Sequence, residues 1–439
     1  MGRRTAWWRA RPGHGRTPVR ARVAAAGAVL CVSVALTAAP ASAADSSYAF
    51  AADARTVKGA TGTTDAALLD PGRSYRSSLP KGAKLYYRLE PDASTSAYVA
   101  VTAVPRGSGK LSVNDGIKVS VQNFRGNSCS YESANFGITG SPHPITAWGA
   151  RTTSPRMPLC EGGGPYYVVV ERADADGSTS GTWDLELATA TEPRLGRTGA
   201  TSAPTTWNSA TSSPLTGEAT TRQGGAGFAR AASVKQGVWR AGISPGQTLF
   251  YKVPVDWGQQ PSAVAELGSH DAGDSSGYAV GALQMTLYNP VRADVEDIEI
   301  GYDGSQNTAS LAPVPPVAYA NRYAPTDQVN GMRFAGWYYL AIHLSTAVAD
   351  DFGTGPFGLT LRVRVTGAAQ DGPGYAGQAV PQDVFGVTAQ DRAAAGDGGS
   401  GAGGDAMRAL AAGGIGAGTV VLVVLGVWTV VGRRRVRAS

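Results

Sequence analysis

One stretch of this chain occurs twice. Leu85-Tyr86-Tyr87-Arg88-Leu89, behind the turn Leu79-Pro80-Lys81-Gly82, returns 164 residues later as Leu249-Phe250-Tyr251-Lys252-Val253 behind Ile243-Ser244-Pro245-Gly246. Tyr75-Arg76 and Trp239-Arg240 keep the same offset. Downstream, Lys118-Val119-Ser120-Val121-Gln122-Asn123 is matched by Gln284-Met285-Thr286-Leu287-Tyr288-Asn289. Gly164-Pro165-Tyr166-Tyr167-Val168-Val169-Val170 is matched by Gly336-Trp337-Tyr338-Tyr339-Leu340-Ala341-Ile342. Gly181-Thr182-Trp183-Asp184-Leu185-Glu186-Leu187 is matched by Gly355-Pro356-Phe357-Gly358-Leu359-Thr360-Leu361. The offset drifts along the copy, as insertions in surface loops allow. A repeat of this length, made of short aromatic runs in fixed order, predicts one β-module used twice.

The first module, 59–190, has strand signals at Leu85–Leu89, Ala97–Val104, Gly116–Gln122, Tyr166–Glu171 and Thr182–Ala188. The second, 224–367, has them at Leu249–Val255, Ser262–Glu266, Leu283–Asn289, Gly336–His343 and Phe357–Val365. Each run is bounded by Gly, Pro, Asp or Ser and enriched in β-branched or aromatic residues. In Ile117-Lys118-Val119-Ser120-Val121 the apolar residues share one face, the mark of a half-buried antiparallel strand. With 58 glycines, 26 prolines and 16% charged residues, the composition suits a turn-rich β-protein. The expected fold class is all-β: two tandem jelly-roll-like β-sandwich domains, with a signal peptide and one C-terminal transmembrane helix. Residues 191–223 are Thr/Ser/Pro-rich and read as a linker, and 368–408 as a Gly-rich stalk.

Charge is uneven. Seven arginines lie in residues 1–43 and five after residue 405, with no acidic residue in either end. Removing those twelve from the 39 basic residues leaves 27 against 33 acidic ones, a net of −6 for 44–405. A mildly acidic body excludes nucleic acid as an expected partner, because phosphate contacts need clustered Lys and Arg. The apolar run Val23–Ala39 and the small-x-small site Ala41-Ser42-Ala43 make 1–43 a predicted secretory signal peptide, cleaved between Ala43 and Ala44. Arg3-Arg4 leaves the route open between the general secretory and twin-arginine systems. Ala409–Val431 is uncharged and ends against Arg433-Arg434-Arg435, which predicts a transmembrane helix over 409–431 and a cytoplasmic basic tail over 432–439. The expected localisation is therefore a single-pass cell-membrane protein with its ectodomain outside and its C-terminus cytoplasmic.

Cys31 lies in the signal segment, so Cys129 and Cys160 remain, and in an exported chain they are expected to form one disulfide. They bracket a proline-bearing stretch with few strand signals, read as a long loop.

The order of elements resembles the bacterial pre-peptidase C-terminal domain: a glycine turn, an aromatic strand, a Tyr-Tyr-Val strand and a final alternating strand. Here these are Gly82, Tyr86-Tyr87, Tyr166-Tyr167-Val168 and Trp183-Asp184-Leu185-Glu186-Leu187. In the second copy they are Gly246, Phe250-Tyr251, Trp337-Tyr338-Tyr339 and Phe357-Gly358-Leu359. The resemblance implies compact sandwiches that accompany other domains, and the overall layout resembles surface proteins of actinobacteria.

Motifs that could carry chemistry are sparse. Gly273-Asp274-Ser275-Ser276-Gly277 matches G-x-S-x-G, yet it lacks the strand before and helix after that a nucleophile elbow needs. Ser78-Leu79-Pro80-Lys81 matches S-x-x-K but reads as a hairpin turn. Asp174 and Asp176, followed by Gly177, are weak calcium-ligand candidates, although Asp-Gly is also a hairpin signal. Asp294-Val295-Glu296-Asp297-Ile298-Glu299 clusters four acids and reads as a hydrated edge strand, with a cation or basic partner as the alternative. His343 and His270 show no metal-ligand spacing. No catalytic or cofactor-binding residue is expected. The expected function is a non-catalytic surface binding or accessory protein whose partner is a cell-wall component or another envelope protein. The alternatives are a structural subunit of an envelope or export assembly and a wall-polymer or peptide hydrolase with an unrecognised site.

Overall fold

Among the described residues, alternating apolar residues between glycine turns build twenty strands, in two sets of ten. The computed structural model describes residues 48–106, 111–153, 158–174, 181–197, 199–270 and 277–396. The first set is β1 (Arg55–Thr56), β2 (Ala67–Leu68), β3 (Ser74–Leu79), β4 (Lys84–Leu89), β5 (Thr95–Val104), β6 (Gly116–Asn123), β7 (Ser128–Asn135), β8 (Ile145–Arg151), β9 (Tyr166–Ala173) and β10 (Trp183–Pro193). The second is β11 (Thr220–Thr221), β12 (Ala232–Ser233), β13 (Gly237–Ile243), β14 (Thr248–Val255), β15 (Gln260–Leu267), β16 (Ala279–Tyr288), β17 (Asp294–Tyr302), β18 (Asn307–Ser310), β19 (Gly336–Leu344) and β20 (Phe357–Thr366). Three short helices are described: α1 (Asp327–Gly331), α2 (Val348–Phe352) and α3 (Ala389–Gly396).

The repeat is topological as well as sequential. One five-stranded sheet runs β1-β3-β10-β5-β8 in the first copy and β11-β13-β20-β15-β18 in the second. The facing sheet runs β2-β4-β9-β6-β7 and β12-β14-β19-β16-β17. Each strand of the first set thus has its counterpart ten places on. The fold is all-β, in two sandwiches. Leu85, Tyr87 and Leu89 point into the first core, and Leu249, Tyr251 and Val253 into the second. Gly82 and Gly246 have φ of 63° and 81° and close the same turn after Pro80-Lys81 and Ser244-Pro245. Asn123 and Asn289 do equal work. The side-chain oxygen of each accepts the N–H groups two and four residues on, at 2.9 and 3.0 Å in the first copy and 3.0 and 3.1 Å in the second.

The segment between Cys129 and Cys160 is not a loop: it holds most of β7 and all of β8, one edge strand from each sheet of the first sandwich. β7 is polar because its outward residues meet solvent, which hides it from an apolar-pattern reading. The disulfide itself is formed. In the entropy model, closing a loop of that length is worth about 3–4 kcal/mol.

All described residues fall in one compact unit, and three of the fastenings between the sandwiches lie beside β10. Glu186 on β10 is fully buried, accepts the Tyr48 hydroxyl and the Ala51 N–H, and pairs with Arg292 of the second sandwich at 3.3 Å. Arg292 holds φ at 60°, a left-handed conformation. The counterpart turn in the first sandwich gives that place to Gly126, with φ 81°. The second fastening is Glu192, also on β10. It accepts Tyr98 at 2.7 Å, Arg322 at 2.6 and 3.1 Å, and Tyr375 at 2.8 Å. The third is an apolar cluster of Tyr98, Ala150, Ala190, Val291, Ala293, Phe334 and Phe385. Ion pairs of this kind add little net stability over apolar contacts but are costly to break, so they hold one docking geometry.

Both flanking segments join these fastenings. Tyr48 packs edge-on against Phe50 and Phe250, so Phe250 is buried although strand alternation points it outward. In the segment read as a stalk, Val380 pairs with Thr191, Trp337 donates to Asp391 at 3.0 Å and Arg392 pairs with Asp256. In the segment read as a linker, backbone carbonyls of Asn208, Ser213 and Leu215 accept from Gln260, Arg364 and Arg362 of the second sandwich.

The single-pass membrane localisation is corrected. Among the described residues no helix is long and apolar enough to cross a membrane. The longest described helix, α3, has eight residues, against the roughly 20 a span requires. The span expected over 409–431, the tail over 432–439, the signal peptide over 1–43 and the cleavage site Ala43/Ala44 lie outside the described residues.

Candidate functional site between the two sandwiches

The outer face of the sheet β12-β14-β19-β16-β17 would face water in a lone sandwich. Here part of it is roofed by the first sandwich. Gln284, Thr286 and Tyr288 alternate along β16 onto this face, and Thr286 and Tyr288 are only 6% and 8% exposed. With Thr248, Ala341 and His343 they floor a cleft of about 310 Å³. Its walls are Glu132–Asn135 of β7, the 143–148 segment of the first sandwich, and Asp294, Asp297 and Glu299 of β17. Trp148 stands at the rim, half-buried.

β7 and β17 are edge strands of corresponding sheets, and docking brings both to the cleft. This sets the electrostatics. Burial, reinforced by Asp297, Glu132 and Glu296, pushes the Asp294 carboxyl up to about 7. Burial, then Asp327, raises Glu132 to about 6. Glu299 is raised by burial and by Asp297. Asp294 is nevertheless open to solvent; it sits in a recess that water enters, with protein and like charge around it. Glu296 points away and accepts Gln328.

At one end of the cleft His143 and His343 stack across the interface with ring centroids 4.4 Å apart. His143 Nδ1 lies 2.8 Å from the Ser141 carbonyl, which can only accept, so Nδ1 carries the proton. His343 Nδ1 faces the Gln247 carbonyl at 3.2 Å and its Nε2 meets the Ser141 hydroxyl at 2.9 Å. Burial lowers both imidazoles, His143 to about 4. Both rings are thus neutral at pH 7. Arg333 is buried and lays its guanidinium over Tyr98, Trp148 and Phe334; it does not line the cleft. The lining contains no Lys or Arg, and among the described residues no group of three His, Cys, Asp or Glu is arranged to hold a metal ion.

The other candidates from the sequence sit elsewhere. Asp174 pairs with Arg172 at 2.7 Å and accepts the Gly82 N–H, so its carboxylate already has partners. Asp176 and residues 273–276 of the G-x-S-x-G match lie outside the described residues. Ser78 is in β3 and Lys81 in the glycine turn. His270 packs on Phe357. Of the cleft residues, the acids of β17 and His343 were singled out by sequence. Glu132, His143 and Trp148 were not, because they matter only through the docking of one sandwich on the other.

No family model matches the chain, and no curated protein does. Among solved structures it is similar to the pre-peptidase C-terminal domain of a Bacillus anthracis collagenase, at 15% identity over 29% of this chain and 97% of that one, with a TM-score of 0.19. It is also similar to tripeptidyl peptidase 2, at 8% identity over 68% of this chain and 24% of that one, TM-score 0.21. The tandem CBM22 domain of Paenibacillus barcinonensis Xyn10C matches at 10% identity over 73% of this chain and 100% of that one, TM-score 0.18.

Proposed function

We propose that the chain is a non-catalytic binding or accessory protein. Its two sandwiches, read as pre-peptidase C-terminal-like modules, act as one body and hold a polar ligand in the cleft between them. The observation that supports this reading is the cleft itself. It has the volume of a small-ligand site, is lined mainly by polar groups with Trp148 at its rim, and is built from both copies of the repeat. A cell-wall component or another envelope protein would present such a ligand. Hydrogen exchange of the intact chain, with and without wall fragments, tests it. Slowed exchange confined to β7, β16 and β17 supports the reading. Protection elsewhere, or none, sinks it.

One observation favours a hydrolase as the second reading. Glu132 and Asp294 approach from opposite sandwiches with raised proton affinity, the condition for a general acid near neutrality. Turnover of a wall polymer that Asp294→Asn abolishes while leaving binding intact would decide for it.

A further inference from the structure

We propose that the cleft between the sandwiches takes a ligand carrying two or more ammonium groups along one chain. This rests on the binding reading above and names the chemistry of its ligand.

The charged groups facing the cleft are all carboxylates. Glu132 comes from the first sandwich, and Asp294, Asp297 and Glu299 from the second. His143 adds a second kind of group. It is 9% exposed, its Nδ1–H is spent on the Ser141 carbonyl, and its Nε2 has no partner among the described residues. A neutral ring in that tautomer offers a bare lone pair, so it calls for a donor. In the first sandwich the position matching Gln284 is Lys118, a cation; the copy that floors the cleft has a neutral amide there. A compact divalent ion is a poor match, since no three ligands converge among the described residues. Separated carboxylates are instead spanned by a flexible chain with charges at intervals. Protons held on Glu132 and Asp294 in the empty cleft are released when such a cation enters, so affinity climbs with pH.

A diffusible polyamine and an amino-sugar polymer share this chemistry. Titration calorimetry of the intact chain at pH 7.5 uses three probes: spermidine, a glucosamine trimer and the neutral N-acetylglucosamine trimer. Spermidine or the glucosamine trimer should bind, and which of them does identifies the source. For spermidine, whose ammonium groups stay protonated throughout, affinity should fall at least about tenfold at pH 5.0, and for either amine it should fall in Asp294→Asn/Asp297→Asn, while Asp53→Asn/Asp65→Asn leaves it unchanged. Glu132→Gln, on the other sandwich, gives an independent reading should the double variant unfold. Equal binding of the N-acetylated trimer overturns the ammonium inference and leaves the binding reading standing. Equal weakening in Asp53→Asn/Asp65→Asn overturns it as general surface charge. Binding by none of the three probes overturns it as well, and the binding reading falls with it only if wall fragments also leave β7, β16 and β17 unprotected in the exchange experiment.

Discussion

Replacing Glu192 by alanine should cost far more than removal of an ordinary ion pair. The carboxylate is 2% exposed and receives four hydrogen bonds, two from Arg322 and one each from Tyr98 and Tyr375. Three of the four reach it from outside the first sandwich. Truncation leaves the Arg322 side chain, 14% exposed, with no counter-charge, and leaves two phenol donors without an acceptor. Breaking a buried pair costs about 3–5 kcal/mol. The slight exposure of Arg322 puts the expected loss near the lower end, about 3 kcal/mol. Because Tyr98 and Tyr375 join different segments, the loss should also uncouple the sandwiches, turning one urea transition into two. Glu192→Gln keeps the shape and loses the charge, so it should fall between. Urea unfolding followed by circular dichroism reads all three proteins. A loss below about 1 kcal/mol, the value of a solvent-exposed ion pair, with a single transition retained, would mean that Glu192 does not hold the sandwiches together.

Three further outcomes follow from the same geometry. Asp294 holds its proton up to about 7 in the fold and only to 3.8 in the unfolded chain, so stability is lost as pH rises between those values. Asp294→Asn should therefore raise the thermal midpoint at pH 8 and leave it unchanged below pH 4; a lower midpoint at pH 8 would contradict this. His143 runs the other way: neutral in the fold down to about 4 and ordinary at 6.5 when unfolded, it makes stability fall as pH drops from 6.5 to 4. His143→Phe should flatten that acid limb, and an unchanged limb would count against the stacked-imidazole account. Arg292→Gly relieves a left-handed backbone but unpairs the buried Glu186, for a net loss of about 2–4 kcal/mol in urea titration. A gain in stability would show that the ion pair does not fasten the sandwiches.

Much of each sandwich is legible in the sequence. The strands with one apolar face, such as β4, β6, β9 and β10, announce themselves by alternation, and their copies confirm the order. β7 is different: Ser128-Cys129-Ser130-Tyr131-Glu132 has an outward face in water, so an edge strand reads as loop. β17 was readable as an edge because four of its six residues from Asp294 to Glu299 are acids. The cleft was not readable. Its walls come from residues more than 140 positions apart, such as Glu132 and Asp294, and no local pattern says that one sandwich will lie on the other. The same holds for Tyr48, Glu186 and Arg292, each unremarkable alone. Phe250 gives a further case: alternation exposes it, and Tyr48 and Phe228, distant in sequence, cover it.

The cleft exists only if the two sandwiches keep a fixed relation and do not swing apart. Spin labels at Lys118→Cys and Asn307→Cys, both exposed strand positions on opposite sandwiches, in a Cys31→Ser background, allow the distance to be read by pulsed electron resonance. A single narrow distribution that broadens in Glu192→Ala is expected. A broad distribution in the unaltered protein would mean hinged sandwiches and no standing cleft.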